Sequence, residues 1–409
     1  MAERLVVTGL GAVSALGLDA DANWAAARDG VCGIEAHLLD PGQYGPVPWT
    51  MPVAFVDDGV MAAAEQALGR RIGASLDLFT VFALKAAQEA LAQAGLTEKP
   101  LGPRFGAVLG NGIGGVRTLE KAYERFFGAR TGKIHPLTVP RLMISAAVSG
   151  VAMEFGITGP VFTTSSACAS SGHAIAQGAM LIQAGMADAV VVGGTEAMCS
   201  PGGIRVWEGL QAMSESACRP FSAGRDGMVA GDGAAALVLE RENHAKARGA
   251  KVLAVLAGVG QSSDAFHWTQ PALEGALSAM RMAADQAGLG ADDEVLISTH
   301  GTGTPLNDKN EADAIRALFG DAADHHPVIA TKSAHGHLIG ASTALQAVIA
   351  LKALEAGLAP PILGYLEPDP EIDLDLVLGA ARPIKAKSAL VNAFAFGGLN
   401  VALAFRTDV

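Results

Sequence analysis

The chain has 409 residues, of which 50% are hydrophobic and 17% are charged, and its formal net charge is −12. This length and apolar content allow one large core or two smaller ones, which excludes a disordered or fibrous chain. The negative charge disfavours general binding of nucleic acid, because neutralising phosphates requires clustered Lys and Arg.

The cysteines and the N-terminal segment exclude further classes of protein. The four cysteines, Cys32, Cys168, Cys199 and Cys218, form no C-x-x-C pair, so we expect neither a zinc site nor a disulfide framework. The segment "MAERLVVTGLGAVSALG" lacks the apolar run of a signal peptide, and no stretch of ~20 uninterrupted apolar residues predicts a membrane span. We therefore expect a cytoplasmic protein without a metal ion.

Short Val-rich runs that end in glycine indicate strands buried on both faces. In chain order these runs lie at residues 4–11, 106–115, 187–197, 234–240 and 388–398. Helical patterns lie between them at residues 76–95, 271–288 and 342–357. This alternation predicts an α/β fold in which parallel strands are covered by helices.

A weak internal repeat divides the chain into two parts. The segment "LAQAGL" (91–96) resembles "ADQAGL" (284–289), and each precedes a predicted strand. Glycine loops at strand ends recur in both parts. We predict two similar halves, residues 1–255 and 256–409, although an Ala-rich composition could produce the same echo.

Cys168 lies in "VFTTSSACASSGHAIAQGAM" (161–180), among small residues just before a helical pattern. The pattern is a four, three, four spacing of Ile175, Ala179, Ile182 and Met186. Unpaired N–H groups and the macrodipole at a helix start favour a thiolate, which predicts a pKa of Cys168 lowered into the range ~3.5–7.5. The residues alone are equally consistent with a buried thiol that only packs.

Two histidines stand in matching contexts. His300 lies in "STHGTGTPLND" (298–308) and His337 in "TKSAHGHLIGAS" (331–342), and each loop follows an apolar run typical of a strand. Loops beyond strand ends are where α/β proteins place catalytic groups. A cysteine nucleophile needs proton-transfer partners, so both histidines are predicted to act with Cys168. The alternative for a single histidine is an ordinary core or surface residue.

At these residues the chain resembles the β-ketoacyl–acyl-carrier-protein synthases, the condensing enzymes of the thiolase-like fold. The blocks that carry the resemblance are "SSACAS", "CRPFSAGRDGMVAGDGAAALVLE", "HGTGTPLNDKNEADAI", "TKSAHGHLIGAS" and "NAFAFGGLN". The elongating members use a Cys-His-His triad, which here corresponds to Cys168, His300 and His337. The resemblance implies a thiolase-like α/β fold of two similar halves, with helices sandwiched between and around mixed β-sheets.

The resemblance also implies a reaction. Cys168 would accept an acyl group from the phosphopantetheine arm of an acyl carrier protein, with the oxyanion held by the backbone N–H groups of Cys168 and Phe396. His300 and His337 would then assist decarboxylation of malonyl-carrier protein, and the product would be a 3-oxoacyl chain two carbons longer. Loss of carbon dioxide drives this condensation, so no cofactor or metal is implied.

Further positions correspond to family residues around the triad. Lys332 corresponds to the active-site lysine and Glu311 to its acidic helper, a pair that can keep the histidines neutral and ordered. Thr302 and Thr304 correspond to positions that bind the pantetheine arm. Phe396 corresponds to the gating phenylalanine.

The acyl pocket and the gate depart from the usual family pattern. Ile113 and Trp207 correspond to acyl-pocket positions, but Trp207 stands where phenylalanine is common. In "AFAFGGLN", Ala395 replaces a glycine and Leu399 a threonine, and the added Cβ at Ala395 restricts the backbone. These features resemble the specialised ketosynthases, including the nodulation type.

An acidic carrier protein requires a basic docking surface despite the negative net charge of this chain. The candidates are Arg70 with Arg71 and the segment that holds Lys121, Arg125, Arg130 and Lys133. Ordinary solvated helix faces would have the same composition. The resemblance also implies a homodimer whose partner lies near Ile113 and residues 130–145, and a heterodimer with another ketosynthase-like subunit is the alternative.

Two other functions use related residues. A decarboxylase or thioesterase could use the same triad without condensation. A non-catalytic partner subunit, such as a chain-length factor, typically loses the cysteine, whereas this chain keeps Cys168, His300, His337 and Lys332. That retention favours an enzyme.

Overall fold

The computed structural model describes residues 4–42, 45–56, 62, 76–290 and 293–408. Its strands are β1 (Leu5–Ser14), β2 (Glu35–Leu39), β3 (Trp49–Ala54), β4 (Phe105–Gly110), β5 (Val161–Thr164), β6 (Ala189–Glu196), β7 (Ala230–Gly231), β8 (Gly233–Arg241), β9 (Ala254–Ser263), β10 (Val295–Ser298), β11 (Val328–Ile329), β12 (Leu358–Ala359), β13 (Arg382–Pro383), β14 (Ser388–Ala395) and β15 (Leu399–Arg406). The predicted strand runs correspond to β1, β4, β6, β8 and β14.

The α-helices of the same part of the chain are α1 (Ala20–Arg28), α2 (Leu78–Gln93), α3 (Val116–Tyr123), α4 (Thr138–Leu142), α5 (Ala146–Phe155), α6 (Ser170–Gln183), α7 (Pro201–Glu208), α8 (Glu242–Ala247), α9 (Leu273–Ala287), α10 (Pro305–Phe319), α11 (Lys332–His335) and α12 (Ser342–Ala356). A π-helix continues α3 over Glu124–Gly128, and 3₁₀ turns cover Ala167–Ala169, Gly320–His325 and Ile339–Ala341. The three helices predicted from periodicity are α2, α9 and α12.

The main sheet has ten strands in the order β11-β10-β14-β15-β9-β1-β8-β6-β4-β5. From each outer edge inward, two parallel pairings are followed by two antiparallel ones. The two sets of five strands meet where β1 pairs with β9 in antiparallel orientation. The α/β fold with mixed pairing is therefore confirmed, and the identical strand order in the two sets supports the proposed division near residue 255.

Helices α6 and α12 lie between the two sets of strands, and other helices cover the outer faces. On β6, Val190 and Val192 face the central core with α6 and α12, whereas Ala189 and Val191 face the outer core with α2 and α5. Helices α9 and α10 cover the outer face of the second set. This alternation follows from the pleat, which sends successive side chains to opposite faces.

The apolar stretch Ile339–Ala356 has a mean hydropathy of 1.3 and the length to cross a membrane, but 83% of it is buried inside the fold. Burial on nearly all sides explains its composition, because a helix between the two sets of strands has no polar face. It is therefore a core helix.

The contact between β4 and α6 positions the start of α6. A Cβ at Gly110, the last residue of β4, would lie 2.3 Å from the backbone nitrogen of Ser171. Because only glycine permits this approach, the helix that follows Cys168 packs directly against the carboxyl end of the strand.

Candidate active site

Cys168 lies in the 3₁₀ turn between β5 and α6 and is 4% exposed. The preceding Ala167 has a φ of +48°, a region that residues with a Cβ rarely adopt. The Ser170 hydroxyl donates to the carbonyl oxygen of Ala167 at 2.6 Å and accepts from the N–H of Ser166 at 2.9 Å. These two bonds hold the strained turn and present the thiol at its apex.

The second half of the chain contains an equivalent turn, Ile339–Ala341, before α12. Its first residue, Ile339, has a φ of +39°. Ser342 and Ser170, which follow the two turns, both have φ −54° and ψ −49°. The two halves therefore deliver the same local structure to the centre of the molecule, one with Cys168 and the other with His337 just ahead of it.

The Cys168 turn, the segment before the Ile339–Ala341 turn and the loop after β10 bring the predicted triad together. The sulfur of Cys168 and a ring nitrogen from each of His300 and His337 lie within 4.8 Å of one another. The two imidazole rings are perpendicular, with centroids 5.5 Å apart, and both are buried. Zinc also accepts one thiolate and two imidazoles, and the expectation that this site works without a metal ion stays a prediction.

The hydrogen bonds around His337 define its tautomer. The backbone N–H of Ile339 donates to Nδ1 at 3.1 Å, so this nitrogen is an acceptor and the ring proton lies on Nε2. The Ser342 hydroxyl lies 2.8 Å from the same Nδ1. Nε2 has no hydrogen-bond partner among the described residues, which leaves its N–H free to donate to a bound molecule.

Lys332 defines the tautomer of His300, as Ile339 does for His337. Its buried ammonium lies 3.4 Å from Nδ1 of His300, donates to the carbonyl oxygen of that residue and donates to Oε1 of Gln346 at 2.7 Å. An ammonium has no acceptor, so its contact with Nδ1 also leaves the His300 proton on Nε2. Both histidines can therefore donate through Nε2.

Electrostatics keeps both imidazoles neutral. Burial lowers the pKa of His300 and of His337 well below the usual value, and the positive charge of Lys332 lowers both further. Burial also lowers the pKa of Lys332 to about 8, although the Glu311 carboxylate opposes this shift. The site thus contains two neutral N–H donors next to one cation.

The Glu311 side chain supports the His300 loop by binding the backbone of that loop. Its carboxylate accepts from the N–H groups of His300 at 2.7 Å and Gly301 at 2.8 Å, and from the side-chain amide of Asn392 at 3.2 Å. Burial raises the pKa of Glu311 to about 7. Lys332 and Glu311 influence each other by charge, while each makes its hydrogen bonds to other groups.

The prediction of a low pKa for Cys168 is wrong. Burial raises the pKa of this thiol to about 12, and the nearby charge of Lys332 only partly opposes the rise. The helix-start argument fails because it omits the desolvation that the surrounding core imposes. Cys168 is therefore a neutral thiol in the resting protein.

Two backbone N–H groups near the thiol influence the pKa of Cys168. The N–H groups of Cys168 and Phe396 both lower the pKa of the thiol by hydrogen bonding to it. They are the two groups that the resemblance implies for an oxyanion hole, where they would donate to the oxygen of an acyl group bound to the sulfur.

A cavity of about 260 Å³ leads from Cys168 to the surface. Thr302 and Thr304 line it, with their hydroxyl oxygens 2.8 Å apart, and His267 lines its outer part. Asp308 at the start of α10 accepts from the backbone N–H of Thr302 at 3.1 Å and holds this loop. The cavity therefore joins the triad to the positions predicted to bind a pantetheine arm.

Of the two predicted acyl-pocket residues, Trp207 contacts the lining of this cavity through Phe396. The ring of Trp207 stacks on Phe396 with centroids 6.4 Å apart and an interplanar angle of 24°. The side chain of Ile113 is 38% exposed, and its backbone N–H donates to Glu196 at 3.2 Å. Neither residue lines the cavity in the described part of the chain, so their assignment to an acyl pocket stays a prediction.

The predicted docking residues are only partly described. Lys133 is exposed in the segment between the π-helix and α4. Arg70 and Arg71 lie outside the described residues.

Sequence reasoning missed three polar residues that support the triad. They are Gln346, which contacts Lys332, Ser342, which contacts His337, and Glu196, which accepts from the backbone N–H of Gly340 beside the His337 turn. A polar residue inside the long apolar stretch of α12 is a signal that could have identified Gln346, because such residues are buried only with partners.

Comparison with known proteins agrees with this geometry. Residues 2–245 match the family described as "Beta-ketoacyl synthase, N-terminal domain", and residues 253–366 match "Beta-ketoacyl synthase, C-terminal domain". Nodulation protein E of Rhizobium meliloti (strain 1021) is 42% identical over 99% of this chain and 100% of its own length.

Two further relatives extend the comparison. The 3-oxoacyl-[acyl-carrier-protein] synthase 2 of Staphylococcus aureus (strain COL) is 36% identical over 99% of this chain and 98% of its own length. A solved type II polyketide ketosynthase complex with its acyl-carrier protein matches with a TM-score of 0.88 and 29% identity over 100% of both chains. The strained cysteine turn, the two histidine donors and these matches show that the chain belongs to the β-ketoacyl synthase family of acyltransferases.

Proposed function

We propose that the protein condenses an acyl group carried on Cys168 with malonyl-acyl carrier protein to give a 3-oxoacyl-acyl carrier protein. The observation that carries this proposal is the cluster of the Cys168 sulfur with the His300 and His337 rings, whose contacts at Nδ1 leave both ring protons on Nε2. This arrangement suits a reaction in which negative charge develops on a thioester oxygen.

The first step loads the enzyme. The Cys168 sulfur attacks the thioester carbonyl of an acyl carrier protein, and the N–H groups of Cys168 and Phe396 stabilise the oxyanion. The carbon–sulfur bond to the phosphopantetheine arm then breaks, and the proton of the Cys168 thiol ends on the departing thiol.

The second step forms the carbon–carbon bond. Malonyl-carrier protein places its thioester oxygen against Nε2–H of His300 and His337, and its carboxylate leaves as carbon dioxide. The electron pair remains as an enolate, whose charge the two donors stabilise. The enolate carbon attacks the acyl carbonyl, the bond to the Cys168 sulfur breaks, and the released thiolate takes up one proton.

Lys332 and Glu311 support this step without touching the substrate. The Lys332 ammonium orders His300 and adds positive potential, and the Glu311 carboxylate orders the loop that carries His300. Neutral imidazoles fit this arrangement, because Nδ1 of each ring accepts a hydrogen bond that a protonated ring could not accept.

The proposed carrier is supported by two of the comparisons. The Staphylococcus aureus relative is named for acyl-carrier protein, and the polyketide ketosynthase was solved in complex with one. We propose that Lys133, Arg70 and Arg71 belong to the surface that receives the acidic carrier, that the working form is a homodimer, and that the enzyme works in the cytoplasm. Because carbon dioxide loss drives the reaction, we propose that it needs no metal ion or cofactor, and a chelator should leave the rate unchanged.

The deciding experiment measures intact mass after the protein is mixed with acyl-carrier proteins of several chain lengths and then with malonyl-carrier protein. An acyl adduct that is absent from Cys168→Ala, and that the malonyl donor converts to a 3-oxoacyl product, supports the proposal. Carbon dioxide release without that product would identify a decarboxylase instead. Absence of any adduct would exclude the condensation.

A further inference from the structure

Gln346 is the polar residue of α12 that contacts Lys332. It is completely buried. Its Oε1 accepts from the Lys332 ammonium at 2.7 Å, and its Nε2 donates to the carbonyl oxygens of Thr299 at 2.6 Å and Asn392 at 3.3 Å. One amide therefore connects Lys332 to the residue before His300 and to the strand that leads to Phe396.

The number of donors on Lys332 gives this contact a consequence. The ammonium has three hydrogens and three neighbours, namely the His300 carbonyl oxygen, Oε1 of Gln346 and Nδ1 of His300. The first two contacts are short, and the third is 3.4 Å. After loss of one proton, the amine has two hydrogens for the two short contacts, and Nδ1 of His300 loses its donor.

The charge state of Lys332 depends on the groups that face it. Carboxylates of Glu311 and Asp308 stabilise the ammonium, whereas burial removes the water that would otherwise surround it. The Gln346 amide replaces part of that water with one neutral acceptor. The other titratable groups that interact with it are Cys168, Cys218, His300, His335 and His337. Gln346 contacts the ammonium directly and is neutral, so one substitution to glutamate adds a negative charge at this contact.

We propose that Gln346 is a positioning residue: its amide holds the Lys332 ammonium against Nδ1 of His300 and sets the pH above which this contact is lost. The inference rests on the proposed condensation for its kinetic readout. Above that pH, His300 no longer keeps its proton on Nε2, and the enolate loses one of its two donors.

The kinetic experiment measures single-turnover condensation by pre-acylated enzyme as a function of pH. In the unsubstituted protein the rate should fall above about pH 8, because burial lowers the pKa of Lys332 to about 8. Gln346→Glu places a carboxylate beside the ammonium and should move this alkaline limb upward by roughly 1 unit or more. Gln346→Met removes the acceptor and should move the limb downward.

The matched control is Gln286→Glu on the exposed side of α9. Gln286 also bonds to a backbone N–H and a backbone carbonyl, both of Val259, at 3.1 Å and 2.8 Å. This control adds the same charge far from the site and should leave the alkaline limb in place. Opposite shifts in the two Gln346 variants support the inference; an unmoved limb, or shifts in the same direction, overturns it.

A second readout separates this inference from the proposed function. The ¹⁵N signal of His300 Nδ1, assigned with His300→Asn, should change over the same pH range and shift with each Gln346 substitution. Movement of that signal in a protein that condenses nothing would leave the inference standing and exclude the proposed function. Condensation with an unmoved signal and an unmoved limb would overturn the inference alone.

Discussion

The backbone N–H of Ile339 donates to Nδ1 of His337 at 3.1 Å, and this bond places the proton on Nε2 of a ring that clusters with His300 and the Cys168 sulfur. The donor comes from a strained residue, because Ile339 has a φ of +39°. The turn is therefore part of the candidate active site, although the side chain of Ile339 does not enter the proposed chemistry.

Removal of the His337 donor should abolish decarboxylation more than acylation. His337→Leu should lower carbon dioxide release from malonyl-carrier protein by on the order of 10² to 10³, the effect of losing one oxyanion donor. Cys168 should still accept an acyl group, which intact mass would detect. His337→Asn keeps a side-chain N–H and should retain more activity, whereas the exposed His325→Leu should match the unsubstituted protein. Equal loss of both steps in His337→Leu would contradict the assigned role.

The pH dependence of Cys168 alkylation should report its raised pKa. Since burial raises that pKa to about 12, the thiolate fraction should increase tenfold with each pH unit throughout the neutral and mildly alkaline range. The measurement is the rate of iodoacetamide addition by mass, corrected with Cys168→Ala for the other cysteines. A rate that reaches a plateau near pH ~7.5 would instead show that the helix start dominates over burial.

Trp207 should restrain Phe396 through their stacked rings. Trp207→Ala removes a contact of about 0.5–1.5 kcal/mol, so we expect the rate of Cys168 acylation to change by roughly two- to tenfold. Trp207→Phe keeps an aromatic face and should behave like the unsubstituted protein. Stopped-flow acylation with one acyl-carrier protein measures the difference, and identical rates in the two variants would show that the stack does not restrain the gate.

Glu196 should stabilise the junction between the two halves. Its buried carboxylate accepts from the N–H groups of Gly112 at 2.8 Å, Ile113 at 3.2 Å and Gly340 at 3.1 Å. Glu196→Gln turns an NH₂ group toward some of these donors, which should lower the free energy of unfolding by about 2 kcal/mol. Denaturant unfolding measures this, with exposed Glu98→Gln as the control. A similarly small effect in both variants would show that the junction does not depend on this carboxylate.

The amino-acid sequence by itself determined several strands and helices and the residues proposed to react. Val-rich runs ending in glycine and the 3.6-residue periodicity identified β1, β4, β6, β8 and β14 and the helices α2, α9 and α12, because burial on one or both faces leaves a pattern along the chain. Glycine-rich loops marked His300 and His337, and small residues before a helical pattern marked Cys168. In loops at strand ends, the candidate reactive residues and the glycines around them are adjacent in sequence. The sequence alone can therefore identify them.

Only the tertiary structure decided the electrostatics and the supporting contacts. The pKa of Cys168 is raised because residues from both halves remove water from the thiol, and no local pattern encodes that desolvation. The bonds of Gln346 to Lys332 and of Glu196 to Gly340 join residues 14 and 144 positions apart. Such contacts depend on how α12 lies between the two sets of strands, and this arrangement follows from packing around the β1–β9 junction, which no single segment specifies.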